Sequence, residues 1–333
     1  MLRLNRLSIL FAIPVVVLPF LSCGTGHDAD EKYFLIATNI QVPYWQTAKA
    51  GFSQAASQLK VRAEIAGPDS FDPKGEQDAF EKALAQKPTG ILISSADPQL
   101  MKADIDKAIA ANVPVITVDS DAAESKRLFF IGTNNYQAGV MGGKRLEKEL
   151  HGKGNVVVFT IPEQANLQER LKGYKDALES SPQIKITRTV DIKGDPRVAF
   201  DTATEIVGKE KDKVDAFVCL EALAGKEVAT VVSNNNVKNK IVMAMDTDAD
   251  TVEWVQKGVI AATISQKPYT MAYLGVMMLD HLYHHKIGNL DVKWSENSFS
   301  PIPAFVDTGA SLIDKGNVDA FVQATKSATS GQR

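Results

Sequence analysis

From Lys32 onward the chain alternates short apolar runs with segments whose apolar residues recur every three or four positions. "KYFLIATNI" precedes "YWQTAKAGFSQAASQLK", "VRAEIAG" precedes "DPKGEQDAFEKALAQK", and "TGILISSAD" precedes "QLMKADIDKAIAAN". "VPVITVDSD" and "RLFFIGTNN" follow, then "YQAGVMGGKRLEKELHGKG". The first member of each pair is a near-continuous apolar run rather than an alternating one, as expected of strands in a parallel sheet covered by helices on both faces. The pattern predicts a doubly wound α/β fold.

A second pass begins at "NVVVFTI" and repeats the first. "NLQERLKGYKDALESS" matches "YWQTAKAGFSQAASQL", "VDAFVCLEAL" matches "TGILISSADP", and "KIVMAMDTDAD" matches "VPVITVDSDA". From Gly51 to Asp119 and from Gly173 to Asp246, the same feature recurs 68 and 73 residues on. Two half-chains therefore each end a buried-type strand in Asp-polar-Asp, which weakens the reading of Asp119 to Asp121 as a chance solvated loop. After the second half come a strand, a long helix ("YTMAYLGVMMLDHLYHHK"), a Pro-rich extended passage, a further strand and a short helix.

Composition narrows the class. With 333 residues, 44% hydrophobic and 23% charged, the chain has the length of two ordinary domains and the balance of a globular protein. Its net charge of −3 becomes −5 without Arg3 and Arg6, so no basic field exists to attract nucleic acid.

Those two arginines open a segment read as 1–22, a signal peptide: a basic start, an apolar run from Leu7 to Leu21, then small residues. "FLSC" also resembles a lipoprotein signal in which Cys23 carries the lipid, although Phe20 stands where that motif usually has Leu; plain secretion with another cleavage point stays open. Residues 23–31 read as a tether. Cys219, in an apolar run, reads as a small buried hydrophobe with no disulfide partner.

Ligands of open α/β sheets bind beyond the C-terminal ends of the strands. The residues expected there include Val42, Tyr44, Trp45, Ser94 to Asp97, Asp119 to Asp121, Asn166 to Arg170, Glu221 and Asp246 to Asp248. Carboxylates and one arginine offer the paired hydrogen bonds that vicinal hydroxyls need, and flat aromatic faces pack against the C–H face of a sugar ring. Each residue also has a plainer reading: Tyr44 and Trp45 as core, Arg170 as a surface charge, Glu221 and Asp246 as helix N-caps. No catalytic set emerges, since neither a GxSxG elbow nor a complete phosphate loop is present, "AGVMGGKR" lacking the required ends. His281 and His285 lie four apart but without the HExxH glutamate, and read as a solvated helix end. No metal and no cofactor is expected.

"VPYWQTAKAGF", "VPVITVDSD", "RLFFIGTNN", "QERLKGYKDAL", "MAMDTDAD" and "AATISQKPY", in this order, resemble the ribose-type periplasmic binding proteins, the substrate-binding subunits of sugar ABC transporters. The resemblance spans about residues 32 to 325. It implies two doubly wound parallel-sheet lobes joined by a three-crossing hinge, the type I periplasmic binding protein arrangement, with 32–133 and 267–297 in one lobe and 134–266 and 298–333 in the other. Crossings are expected near Asn134, Gln266 and Pro301.

It also implies a ligand set of Val42, Tyr44, Trp45, Asp119, Asp121, Arg170, Glu221, Asp246 and Gln266. Four departures bear on specificity. Val42 stands where the ribose binder has Asn, Ser120 where it has Arg, a stretch near Asp195 where it has its second-half aromatic, and Glu221 where it has a strand-end Asn, so the pocket loses a cation and gains acid, and a larger monosaccharide, a polyol or an amino sugar fits as well as ribose or better. The implied function is capture of a sugar or polyol and delivery to an ABC permease by a monomer outside the cytoplasm. It would touch the membrane only through its lipid, and it would be no enzyme. The alternative is a sensor presenting its closed form to a chemoreceptor or kinase.

Overall fold

A computed structural model describes residues 26–28 and 30–330, the side chains of 327–330 excepted. The signal segment and Cys23 lie outside the described residues.

The first lobe opens with β1 (Lys32–Ile36), α1 (Pro43–Leu59), β2 (Arg62–Ala66), α2 (Pro73–Ala85), β3 (Gly90–Ile93), α3 (Pro98–Ala110), β4 (Val115–Val118) and β5 (Phe130–Gly132). The second lobe holds α4 (Asn135–Leu150), β6 (Lys153–Thr160), α5 (Ala165–Leu178), β7 (Gln183–Asp191), α6 (Pro196–Lys209), β8 (Ala216–Cys219), α7 (Ala224–Asn234), β9 (Ile241–Met245), α8 (Ala249–Lys257) and β10 (Ala262–Ser265). The chain returns to the first lobe with α9 (Pro268–His284) and β11 (Phe305–Asp307), then ends in the second with β12 (Ser311–Ile313) and α10 (Val318–Ser330).

The sheets run β2-β1-β3-β4-β5-β11 and β7-β6-β8-β9-β10-β12. Among the described residues every pairing is parallel except β10 with β12. The interior strands β3, β4, β8 and β10 are buried at every residue, which their continuous apolar runs require. "RAEIA", by contrast, is an edge strand, exposed at Arg62, Ala63 and Glu64, so its charged residues face water.

The internal repeat is visible in the packing. Gly51 on α1 faces α9 so closely that a β-carbon would lie 2.0 Å from the Tyr269 carbonyl oxygen. Its counterpart, Gly173 on α5, would place one 2.2 Å from the Tyr136 carbonyl oxygen of α4. The same helix–helix contact is thus built twice, from a glycine at the same place in each half. Each lobe has its own apolar core, around Phe34, Phe52, Phe80 and Leu92 in one and around Phe159, Phe217, Val218 and Met243 in the other.

The chain crosses between lobes at 133–134 and 266–267, where β5 hands over to α4 and β10 to α9. The third crossing differs from the expected one near Pro301. β11 pairs in parallel with β5, Phe305 stacks on Phe130 with centroids 5.2 Å apart, and Ile302 packs on the first core, so residues 298–307 belong to the first lobe. The chain crosses at 308–310 instead, through Gly309 at a φ of +79°, a value glycine adopts at no steric cost.

Candidate functional site

The site lies where the C-terminal ends of both sheets face one another. Asp119 follows β4 and Asp246 follows β9, and the two share an unusual backbone, with φ of +66° and +68°. Asp is one of the few residues other than glycine that enter this left-handed region without large cost, because its short side chain bonds locally. Each keeps its sheet connection: the Asp119 N–H donates to the Ile131 carbonyl at 3.0 Å and the Asp246 N–H to that of Ile264 at 2.8 Å. The turn ends the strand and leaves the carboxylate on the cleft side.

Asp119 has three donors. The Tyr44 hydroxyl reaches Oδ1 at 2.6 Å, while the Ser94 hydroxyl and Asn166 Nδ2 reach Oδ2 at 3.2 and 3.4 Å. Asn166 comes from the opposite lobe, so this bond spans the cleft. Asp246 accepts from the Gln266 side chain, whose Nε2 lies at 2.9 Å. Trp45 meets Tyr44 edge to face, ring centroids 5.3 Å apart, and is buried in the first core with one flank on the cleft. Val42, just before α1, lines the same wall.

Arg170 on α5 is buried between the carboxylates. Its Nε donates to Asn135 Oδ1, Nη1 to the Leu220 carbonyl and Nη2 to Gln266 Oε1, at 2.8 to 2.9 Å. These bonds fix the guanidinium and leave two of its five N–H groups for the cleft. Glu221 serves the backbone as well, since its oxygens accept from the Leu223 and Ala224 N–H groups at the start of α7, as a helix cap does. For α8 the cap is Asp248, not Asp246.

Among the described residues, Arg170 is the one basic side chain in a lining that holds Asp119, Glu221 and Asp246. Burial disfavours their charged forms. It pushes Asp246 and Glu221 up to about 7 and raises Asp119, while Arg170 pulls all three back. Near neutral pH the cleft therefore holds a carboxyl that can donate as well as carboxylates that accept. That suits an uncharged polyhydroxylated ligand and disfavours an anion.

The structure brings Val42, Tyr44, Trp45, Asp119, Arg170, Glu221, Asp246 and Gln266 into one lining. Asp121, expected among them, points elsewhere. Arg127 grips it through Nε and Nη2 at 2.6 and 2.5 Å, and the Thr117 hydroxyl donates at 2.6 Å, so its oxygens serve the first lobe. Ser120 is fully buried and its hydroxyl also stays out of the lining. Neither side chain lines the cleft.

Phe71 and Gly194 are not legible in the sequence as site residues. Phe71, from the first lobe, packs on the core of the second, and a β-carbon at Gly194 would lie 2.2 Å from that of Phe71. The only signal in the sequence is a lone aromatic in a polar loop. Asn39, Thr38 and Gln164 complete the polar wall.

Over residues 33–286 the chain matches the family described as periplasmic binding protein domain. It belongs to that family. The ribose import binding protein of Haemophilus influenzae is 23% identical over 274 residues, covering 82% of this chain and 92% of that one. An arabinose-binding protein from Geobacillus stearothermophilus is 33% identical with a TM-score of 0.71, covering 88% and 99%. A solute-binding protein of an ABC transporter from Burkholderia graminis, solved with D-arabinose, is 26% identical with a TM-score of 0.79, covering 87% and 98%. The two-lobed periplasmic binding protein fold is thus shared over 87 to 88% of this chain, and the chain is a sugar-type solute-binding protein, not an enzyme. None of the described helices is long and apolar enough to cross a membrane.

Proposed function

We propose that the protein captures one neutral monosaccharide of pentose or similar size between its lobes and delivers it to an ABC permease outside the cytoplasm. The observation that carries this reading is the convergence of Asp119 and Asp246, from matching strand ends of two lobes, on one buried Arg170 beside Tyr44 and Trp45. Vicinal hydroxyls donate to the carboxylates and accept from the guanidinium, and the aromatic pair covers an apolar ring face. The pentose names of the relatives support the size; a polyol of the same length presents the same groups.

The lobes close about the crossings at 133–134, 266–267 and 308–310, and Phe71 seats the first lobe on the second. The mature chain is a monomer held to the membrane by a lipid on Cys23, with residues 23–31 as the tether.

A thermal-shift screen of pentoses, hexoses, polyols and amino sugars tests the reading. A ligand bound only to the folded state at 100 times its Kd adds about 2.7 kcal/mol of stability. One sugar class should raise the melting temperature, and a flat response across the panel would overturn the reading.

A further inference from the structure

Far from the cleft, at the end of the first lobe where β1 begins and α9 ends, four side chains meet: His27 and Glu31 from the tether, Asp280 and His284 from α9. His27 Nε2 lies 2.9 Å from Asp280 Oδ1, His284 Nε2 3.1 Å from Glu31 Oε2 and 3.7 Å from Asp280 Oδ1. All four potential ligand atoms lie within 4.8 Å of one another. A tetrahedral zinc ion with ligands at about 2.0 to 2.1 Å needs neighbouring ligand atoms about 3.3 Å apart, and the three pair distances bracket that value.

The charges point the same way. Glu31 and Asp280 are 4% and 9% exposed, and among the described residues the ion pairs of both run only to histidines, not to lysine or arginine. A divalent cation held by two neutral imidazoles and two carboxylates gives a neutral centre. Outside the four, the Tyr33 hydroxyl donates to Asp280 Oδ1 at 3.1 Å. The Asp28 N–H donates to Glu31 Oε1 at 2.7 Å, leaving Oε2 for the centre. Such outer bonds orient metal ligands. With Nε2 on the ion, His27 Nδ1 would carry the ring proton; that nitrogen is buried without a partner among the described residues, so this ring is oriented by its packing against His284 rather than by an outer hydrogen bond.

We propose that His27, Glu31, Asp280 and His284 form a binding site for one divalent transition-metal ion, zinc being favoured by two imidazoles and two carboxylates in a compact set. The ion clips the tether to the last turn of α9 and fixes where the chain leaves the lobe. The site is independent of the sugar reading: no member lines the cleft.

The test is calorimetric titration of zinc chloride into untagged, chelator-treated mature protein. One ion per chain is expected. His27→Ala and His284→Ala should each weaken binding by more than about 100-fold, since loss of an outer-shell partner alone costs about 10- to 100-fold. Tyr33→Phe should fall within that smaller range. The exposed pair His281 and His285, ring centroids 4.7 Å apart, is the competing site. His281→Ala should leave the affinity unchanged, and cobalt(II) in place of zinc should give the intense visible bands of a four-coordinate ion. Binding lost in His281→Ala but kept in His27→Ala, or no binding to the wild-type chain, overturns the site. Retained sugar-induced thermal shifts in each variant report that it is folded.

Discussion

Asp119 and Asp246 have the same backbone and different company. Both follow a buried strand, both hold a φ near +67°, and both tie their N–H to the next strand. Yet Asp119 accepts from a phenol, a hydroxyl and an amide, whereas Asp246 accepts from one amide and is raised by burial first and then by the charges of Asp119 and Glu221. Repetition of the half-chain reproduced the geometry, and divergence of the surrounding residues set the chemistry. Burial raises both carboxyls, and Asp246, lifted to about 7, switches between acceptor and donor near neutral pH.

Asp119→Asn disturbs this contrast most. Asparagine keeps the left-handed backbone, so the fold should stand, but it removes the charge on which the ligand and Tyr44 depend. Hydrogen bonds to a charged group contribute about 1.5 to 3 kcal/mol each, and losing two predicts an affinity loss of about 100-fold or more by calorimetry. Unchanged affinity would return Asp119 to a structural turn.

A lesser change is expected at Phe71. Asn166 reaches Asp119 only across the closed cleft, and Phe71 is the apolar contact that seats the lobes. Phe71→Ala removes up to about 1.5 to 3 kcal/mol of apolar burial from the closed form. Sugar affinity should fall roughly tenfold while the unliganded melting temperature barely moves. A loss of stability without loss of affinity would place Phe71 in the fold rather than in closure.

The mildest change separates the two aspartates through pH. Burial raises the Asp246 carboxyl to about 7 in the folded chain, against about 4 unfolded. Between those values the folded state holds the extra proton, so stability falls as pH rises from about 4 to 7 and the penalty stays in force above 7. Asp246→Asn removes the penalty. The unliganded variant should melt several degrees above wild type at about pH 8, with the gap closing below about pH 4. Asp119→Asn should show less of this, because Arg170 and the hydrogen bonds from Tyr44 and Ser94 favour its charged form.

Much of the fold is legible in the sequence because interior strands must be apolar along their whole length, and because Gly51 and Gly173 mark one helix contact made twice. Asp119, Glu221 and Asp246 are legible because strand ends and the repeat fix where carboxylates emerge, whereas Gln266 is reached only through the family resemblance. Asp121 is not: its Arg127 partner sits in an irregular segment that no period describes, and the two strand-end acids look alike until that pairing is seen. β11 and β12, at three residues each, are too short to carry a pattern, which is why the sequence points to a third crossing earlier than the real one. His27 and Asp280, 253 residues apart, are joined only by the fold.

An acidic cleft with a single guanidinium should close on an uncharged sugar and refuse a charged one. Calorimetry near neutral pH with a neutral pentose and with its 5-phosphate puts the two side by side. One-to-one binding of the neutral sugar and none of the phosphate is expected, because among the described residues three buried carboxyl groups face a single arginine. Equal or tighter binding of the phosphate would contradict it.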